Sequence, residues 1–449
     1  MGKKYDKKKV KERIKAKKRQ KRKEQGAVWY FCVTLGAVIA IGVSTILAMI
    51  GFRLYKNNQA LKLAQASLEE AKLANYIEEA KPTNSPSPSP TPSPSPTPEV
   101  VPSKYGDIIN SPDYLAENNI FVKQGSNEDV VTMGFGGDIL FDDRYALMAS
   151  VIQKGGDLST GISQETLDVM NAVDIMVINN EFPYTDRGHF NPEKMFSFRA
   201  KPEMAKYLND MGVDAAVIAN NHAYDYGEEG FLDTMSTIDS VGVQYVGGGR
   251  NLEEAMMPLY YIVNDIKIAI IASTEIERLS EPNTKGATEN SAGVFRSWYN
   301  ERLFEAIAEA KENADFVVIF EHWGKEKETQ PDSWQKTAAQ KAAEAGADLI
   351  IGAHPHVLQG IYYFGDVPCL YSIGNFWFSG FNLDSCLIRV EINKEGLKSL
   401  QFMPARQAGF VTKLVHDDEY NRILNEMRTM SPEAIIDDDG YVTSKEGRG

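Results

Sequence analysis

The chain has 449 residues, 43% hydrophobic and 24% charged, enough to bury one large core or two smaller ones, and this excludes a coreless polymer. Its formal net charge of −14 is unevenly spread: residues 1–26 carry 14 Lys/Arg against 3 Asp/Glu, which leaves 34 against 59 in the remainder. Three cysteines, none at metal-type spacing, exclude a cysteine-held zinc knot.

The basic block at 1–26 belongs to a type that favours anionic partners, either nucleic acid or lipid head groups. The next stretch decides between them. Residues 27–52, "AVWYFCVTLGAVIAIGVSTILAMIGF", contain no charged residue. As a helix they span roughly 39 Å, more than the ~30 Å of a hydrocarbon core. Trp29 and Tyr30 at one edge and Phe52 and Arg53 at the other suit interfacial anchors. The expectation is a single-pass anchor in the cell membrane, N-terminus cytoplasmic and the rest external, with no nucleic-acid partner. A cleaved signal peptide is the alternative, but the apolar run is too long for one and "AQA" at 64–66 too distant.

Residues 53–80 form an Ala/Leu/Glu/Lys-rich helical stalk, and 81–103 a Pro/Ser/Thr-rich linker in the extended polyproline conformation. From Pro82 to Pro102 that linker reaches roughly 65 Å when fully extended. An external domain follows at 104–430, and then a flexible acidic tail at 431–449.

In the domain, short apolar runs alternate with amphipathic helical stretches, the pattern of an α/β fold with buried sheets. Helices are expected near 143–153 and over "KPEMAKYLNDMG", "GEEGFLDTMSTIDSVG", "ERLFEAIAEAKENA" and "SWQKTAAQKAAEAGA". Hairpins are expected in "LYYIVNDIKIAIIAST", turning at Asn264-Asp265, in "IYYFGDVPCLYSIG" and in "SCLIRVEINKEGLKSLQFMP". Cys369 and Cys386, both in the external part, are compatible with a disulfide and equally with two buried thiols.

The apolar runs finish in Asp138, Glu181, Asn221-His222, His322, and His354 with His356. Strand ends of that kind open the crevice where α/β sheets bind ligands. Carboxylate, amide oxygen and imidazole together suit Mn²⁺, Fe²⁺ or Zn²⁺, one or two ions. Each side chain taken alone reads equally well as a hydrogen-bonded core or surface residue. His189 and His416, which end no apolar run, are read that way.

The motifs "GGDIL", "NNEFP", "FRAKPEMAKYL", "ANNHAYDYGEEGFLDT", "EHWGKE", "GAHPHVLQG" and "YSIGNFWF" resemble the CapA/PgsA-type poly-γ-glutamate capsule biosynthesis proteins, over about residues 130–390. These are similar in turn to calcineurin-like metallophosphoesterases. The resemblance implies a four-layer α/β/β/α metallophosphoesterase-like sandwich, here preceded by the transmembrane helix and linker. It implies Asp138 as the first-strand metal aspartate, Glu181 as a metal-bridging carboxylate and Asn221 as an amide-oxygen ligand. His322, His354 and His356 complete the metal set, and His222 is the acid that protonates a leaving group. Asp225 would orient His222 and Arg199 would meet an anionic substrate, although both also read as ordinary surface residues. Where the phosphoesterases carry Asp-x-His, Ile139 and Leu140 follow Asp138, so one metal position lacks an imidazole.

The implied role is a membrane-anchored component of poly-γ-glutamate synthesis or export, with the polymer and a membrane-bound synthesis complex as partners. The alternatives are an active phosphoesterase on a cell-envelope phosphoester and a hydrolytically inactive polymer-binding or assembly module. An outer part this acidic repels a polyglutamate chain, so binding needs the metal or a basic patch such as Arg199, Lys201 and Lys206.

Overall fold

The computed structural model describes residues 103–190, 194–276, 285–298 and 301–446. The basic block, the expected membrane span, the stalk and the linker up to residue 102 lie outside them. Among the described residues no helix is long and apolar enough to cross a membrane.

In chain order the strands begin with β1 (Ile120–Lys123), β2 (Val131–Ile139), β3 (Ile175–Asn180), β4 (Ala215–Val217), β5 (Gln244–Val246) and the short β6 (Gly248–Gly249). Next come β7 (Leu259–Val263), β8 (Ile266–Thr274), β9 (Gly293–Val294), β10 (Phe316–His322) and β11 (Leu349–Ala353). Then follow β12 (Ile361–Phe364), β13 (Val367–Leu370), β14 (Asn375–Trp377), β15 (Leu383–Asn393), β16 (Gly396–Ala408) and β17 (Val411–Leu414). The last pair is β18 (Ala434–Ile436) and β19 (Val442–Ser444). The helices that carry the argument are α1 (Ala146–Gln153), α2 (Gln164–Asn171), α3 (Gly227–Ser240), α4 (Glu301–Asn313), α5 (Ser333–Ala345) and α6 (Asp417–Met430).

Two mixed sheets result. The first runs β1-β7-β8-β10-β11-β13-β12 and the second β17-β16-β15-β2-β3-β4-β5, with β14 paired to β2. Each has a parallel centre, β8-β10-β11 in one and β2-β3-β4-β5 in the other. Parallel strands are buried on both faces, which is why "FVVIF" in β10 is uninterrupted by polar residues. Val317 and Ile319 pack against Leu303 and Ile307 of α4 and Ala338 and Ala342 of α5. Val318 and Phe320, one residue out of phase, share a core with the second sheet and with α1, α2 and α3.

The crossover helices follow from their sequences. Asp332 caps α5 by accepting from the N–H groups of Trp334 and Gln335, while the Gln335 side chain accepts from the Asp332 N–H; Gly346 ends it at φ 117°. All three expected hairpins are present: β7–β8, β12–β13 and β15–β16 are antiparallel. Asn264 (φ 51°) and Asp265 (φ 64°) make the first turn in the left-handed conformation these two residue types tolerate.

The C-terminal stretch differs from the loose tail expected at 431–449. β18 and β19 form an antiparallel pair, with Ala434, Ile436 and Val442 buried. Arg428 in α6 donates to the Ile436 carbonyl at 2.8 Å and pairs with Asp438. Alternating apolar residues in "EAIIDDDGYVT" were masked in the sequence by the acidic turn between them.

Candidate metal centre

Strand polarity brings the expected residues together. Asp138 lies in β2, Glu181 follows β3, Asn221 and His222 follow β4, His322 ends β10, and His354 and His356 follow β11. All six ligand candidates are buried except His356, which is partly exposed. Gly137 accounts for the "GG" before Asp138, since a Cβ there would collide with the Gly374 carbonyl oxygen. That close approach lets β14 lie beside β2, with Asn375 in register with Asp138.

Around His322 the ligand-type atoms converge. Its Nε2 stands 2.7 Å from Asn221 Oδ1, 3.1 Å from His354 Nδ1 and 3.6 Å from Glu181 Oε1. Ligand atoms bound to one metal at about 2.1 Å sit about 3 Å apart, so these separations match the edges of a coordination shell. A second group joins Asp138, Glu181 and His356, with Glu181 common to both. His356 Nδ1 is 2.9 Å from Asp138 Oδ2 and 2.8 Å from Asn375 Oδ1, while its Nε2 faces Glu181 Oε1 at 3.9 Å. The His-Pro-His turn is held against the backbone's preference: His354 (φ 94°) and His356 (φ 59°) are both left-handed, at a cost of about 1–3 kcal/mol each. Lys327 N–H fixes it by donating to the Pro355 carbonyl at 2.8 Å.

Both Glu181 oxygens are buried and neither has a hydrogen-bond partner. Burial, then the charge of Asp138, pushes its pKa well above the usual carboxylate range. Burial, helped by the neighbouring histidines, pushes His322 well below its ordinary value and keeps it a neutral imidazole, the form that binds metal. At His356 burial acts downward, but Glu181 and Asp138 outweigh it and lift the pKa to about 10. A buried dicarboxylate-and-imidazole cluster with unsatisfied oxygens fits a divalent cation, which is the test the donor set has to pass.

His222 stands at the rim. Its Nδ1 is 2.7 Å from Asp225 Oδ2, and its Nε2 lies 4.0 Å from Glu181 Oε1. Burial outweighs Asp225 and lowers its pKa. Arg199 does not touch the cluster; its guanidinium lies over the Tyr226 ring, 4.9 Å from the centroid, next in sequence to Asp225.

Sequence reasoning missed three contributors. Lys194, with only 7% of its side chain exposed, pairs with Asp225 and donates to the Asn221 carbonyl at 2.7 Å. Asn179 donates to Asp138 Oδ1 at 2.7 Å and lies 3.1 Å from His322 Nδ1, so it ties the two sheets together. Asn375 supplies an amide oxygen beside His356 and Asp138. The doubled asparagine in "INNE" and the "GN" of "SIGNF" were the available signals. His189 is exposed, and His416, also exposed, pairs with Glu165 away from the centre. Cys369 and Cys386 are both buried and unbridged.

With this geometry established, the chain can be compared with known proteins. It is 33% identical over 285 residues to the PGA biosynthesis protein CapA of Bacillus subtilis (strain 168), covering 62% of this chain and 72% of that protein. It is 31% identical over 243 residues to the capsule biosynthesis protein CapA of Bacillus anthracis, covering 52% of this chain and 58% of the relative. Among solved structures, a 5'-nucleotidase from Candida albicans superposes with a TM-score of 0.34 at 10% identity, over 62% of this chain and 52% of that one, too loosely to bear on the fold. The family model described as bacterial capsule synthesis protein PGA_cap matches residues 132–379, more than half of the chain and a span that holds all six ligand candidates. The chain belongs to the bacterial capsule synthesis protein PGA_cap family.

Proposed function

We propose that this chain is a membrane-anchored component of poly-γ-glutamate capsule synthesis or export whose external domain is a four-layer, metallophosphoesterase-like sandwich acting on a phosphoester. The observation that carries the reading is Glu181, a fully buried carboxylate without a hydrogen-bond donor and shared by two ligand groups. Asp138, Glu181 and His356 would hold one divalent ion (Mn, Zn or Fe), and Glu181, Asn221, His322 and His354 a second. Such ions, when bound, supply Lewis acidity toward a phosphoryl oxygen and a lowered pKa for water.

The chain's own residues do the rest. Asp225 fixes the His222 ring through Nδ1 and favours its protonated form against burial, so in that form Nε2, facing the reacting space, gives its proton to the departing oxygen. Arg199, beside Tyr226, meets the anionic part of the substrate. Support for the biological role comes from the family and from two relatives named for capsule or PGA biosynthesis. Support for the anchor is the basic block followed by the uncharged run at 27–52.

The test uses the full chain. Its metal is counted by elemental analysis, and phosphomonoester and phosphodiester hydrolysis is assayed with Mn²⁺ and Zn²⁺. His222→Ala should keep its metal and lose turnover. Bound metal without turnover in the unaltered chain would instead support the polymer-binding or assembly reading, which the missing Asp-x-His imidazole favours.

A further inference from the structure

The most exposed large apolar side chains of the described domain are Met195 (87%) and Phe381 (73%), followed by Phe196 (56%). Of these, Phe196 is tied to the candidate site by a series of rings. Phe196 stacks on Phe198 with ring centroids 6.4 Å apart and planes 16° apart. Phe198 lies 4.3 Å from the His222 ring and edge-on to Phe378 at 5.2 Å. Phe378 stacks on His356 at 4.8 Å. An unbroken series of rings therefore leads from a metal-ligand candidate and the proton-transfer histidine to solvent.

The segment that carries this series is firmly placed. Phe198 N–H donates to Asp225 Oδ2 at 2.6 Å, and Lys194 pairs with the other oxygen of the same carboxylate. Phe196 is thus held at the solvent end of the ring series, exposed at a cost in free energy that a bound apolar group would remove.

From this we infer that the site selects a phosphoester with an apolar, uncharged leaving group, which packs against Phe196. The inference rests on the phosphoester reading above. A leaving oxygen protonated by His222 Nε2 must lie on the His222 side of the phosphorus, where Phe198 forms the wall. The atoms beyond that oxygen then meet Phe196 before water. Glu326, exposed and close enough to weigh on Glu181 and His356, adds a negative field that disfavours a polyanionic leaving group.

The probes are methylphosphonate and benzylphosphonate, titrated calorimetrically into the Mn²⁺-loaded full chain. Benzylphosphonate should bind about tenfold more tightly, the expected gain from covering one aromatic face. In Phe196→Ser the difference should shrink to within about twofold, with methylphosphonate affinity unchanged. Equal affinities in the unaltered chain, or a difference that survives the substitution, would overturn Phe196 as a specificity surface and leave the phosphoester reading intact. If neither phosphonate binds the metal-loaded chain, both fall together.

Discussion

Glu181 Oε1 stands 3.6 Å from His322 Nε2, and neither oxygen of this fully buried carboxylate has a hydrogen-bond donor. Without a cation, burial and then the charge of Asp138 raise its pKa well above the usual carboxylate range, while His356 beside it is lifted to about 10. Adding Mn²⁺ or Zn²⁺ should therefore release protons to the buffer and raise the thermal midpoint, by about 2.7 kcal/mol of stability at a hundredfold excess over the dissociation constant. Glu181→Gln preserves shape but not charge, and its metal content by elemental analysis should fall severalfold. Full metal retention in that variant would remove Glu181 as the shared ligand.

Lys194 is the counter-ion of Asp225 inside the protein. Lys194→Met takes the cation from a buried carboxylate, leaving it only His222 and the Phe198 N–H, and should cost about 3 kcal/mol in denaturant unfolding. The double variant with Asp225→Asn should recover part of that loss. A single variant as stable as the parent would show that the pair contributes nothing.

Gly137→Ala would drive a methyl group into the Gly374 carbonyl, so β14 has to move from β2. The expected result is a loss of at least about 2 kcal/mol and weaker binding of one metal, because Asn375 leaves Asp138 and His356. Unchanged stability and metal stoichiometry together would contradict the close approach.

Glu321, one residue from His322 on the opposite face of β10, is buried between the hydroxyls of Ser273 and Ser297. Burial raises its pKa to about 8, against the serine hydrogen bonds. The folded state therefore keeps a proton that the unfolded chain gives up near pH 4.5. Its contribution is fully present below pH 4.5 and is lost as pH rises toward 8, by several kcal/mol in order of magnitude. Glu321→Gln should flatten that part of the stability–pH curve and gain most at pH 8. An equally steep curve in the variant would rule Glu321 out as its source.

The metal-ligand candidates were legible because parallel strands deliver their C-terminal residues to a common edge, and each apolar run marks its own end. "NNH", "EHW" and "AHPH" needed no long-range information to be noticed. Lys194 was not legible, since nothing local marks a loop lysine that pairs with a carboxylate 31 residues later. Asn375 was hidden by register: its pairing with Asp138 joins strands far apart in the chain, and only the backbone approach at Gly137 makes it. The 434–444 hairpin was obscured for a different reason, because three aspartates at its turn outweighed the three buried apolar side chains in its strands.

Cys369 lies in the first sheet and Cys386 in the second, both fully buried, with burial pushing each thiol up and away from its reactive form. The domain therefore keeps its shape without a covalent crosslink, and folding needs no thiol oxidation. Two thiols silent in the native state and reactive only when a sheet opens make a built-in clock. The rate at which a maleimide finds each one measures how often that sheet comes apart.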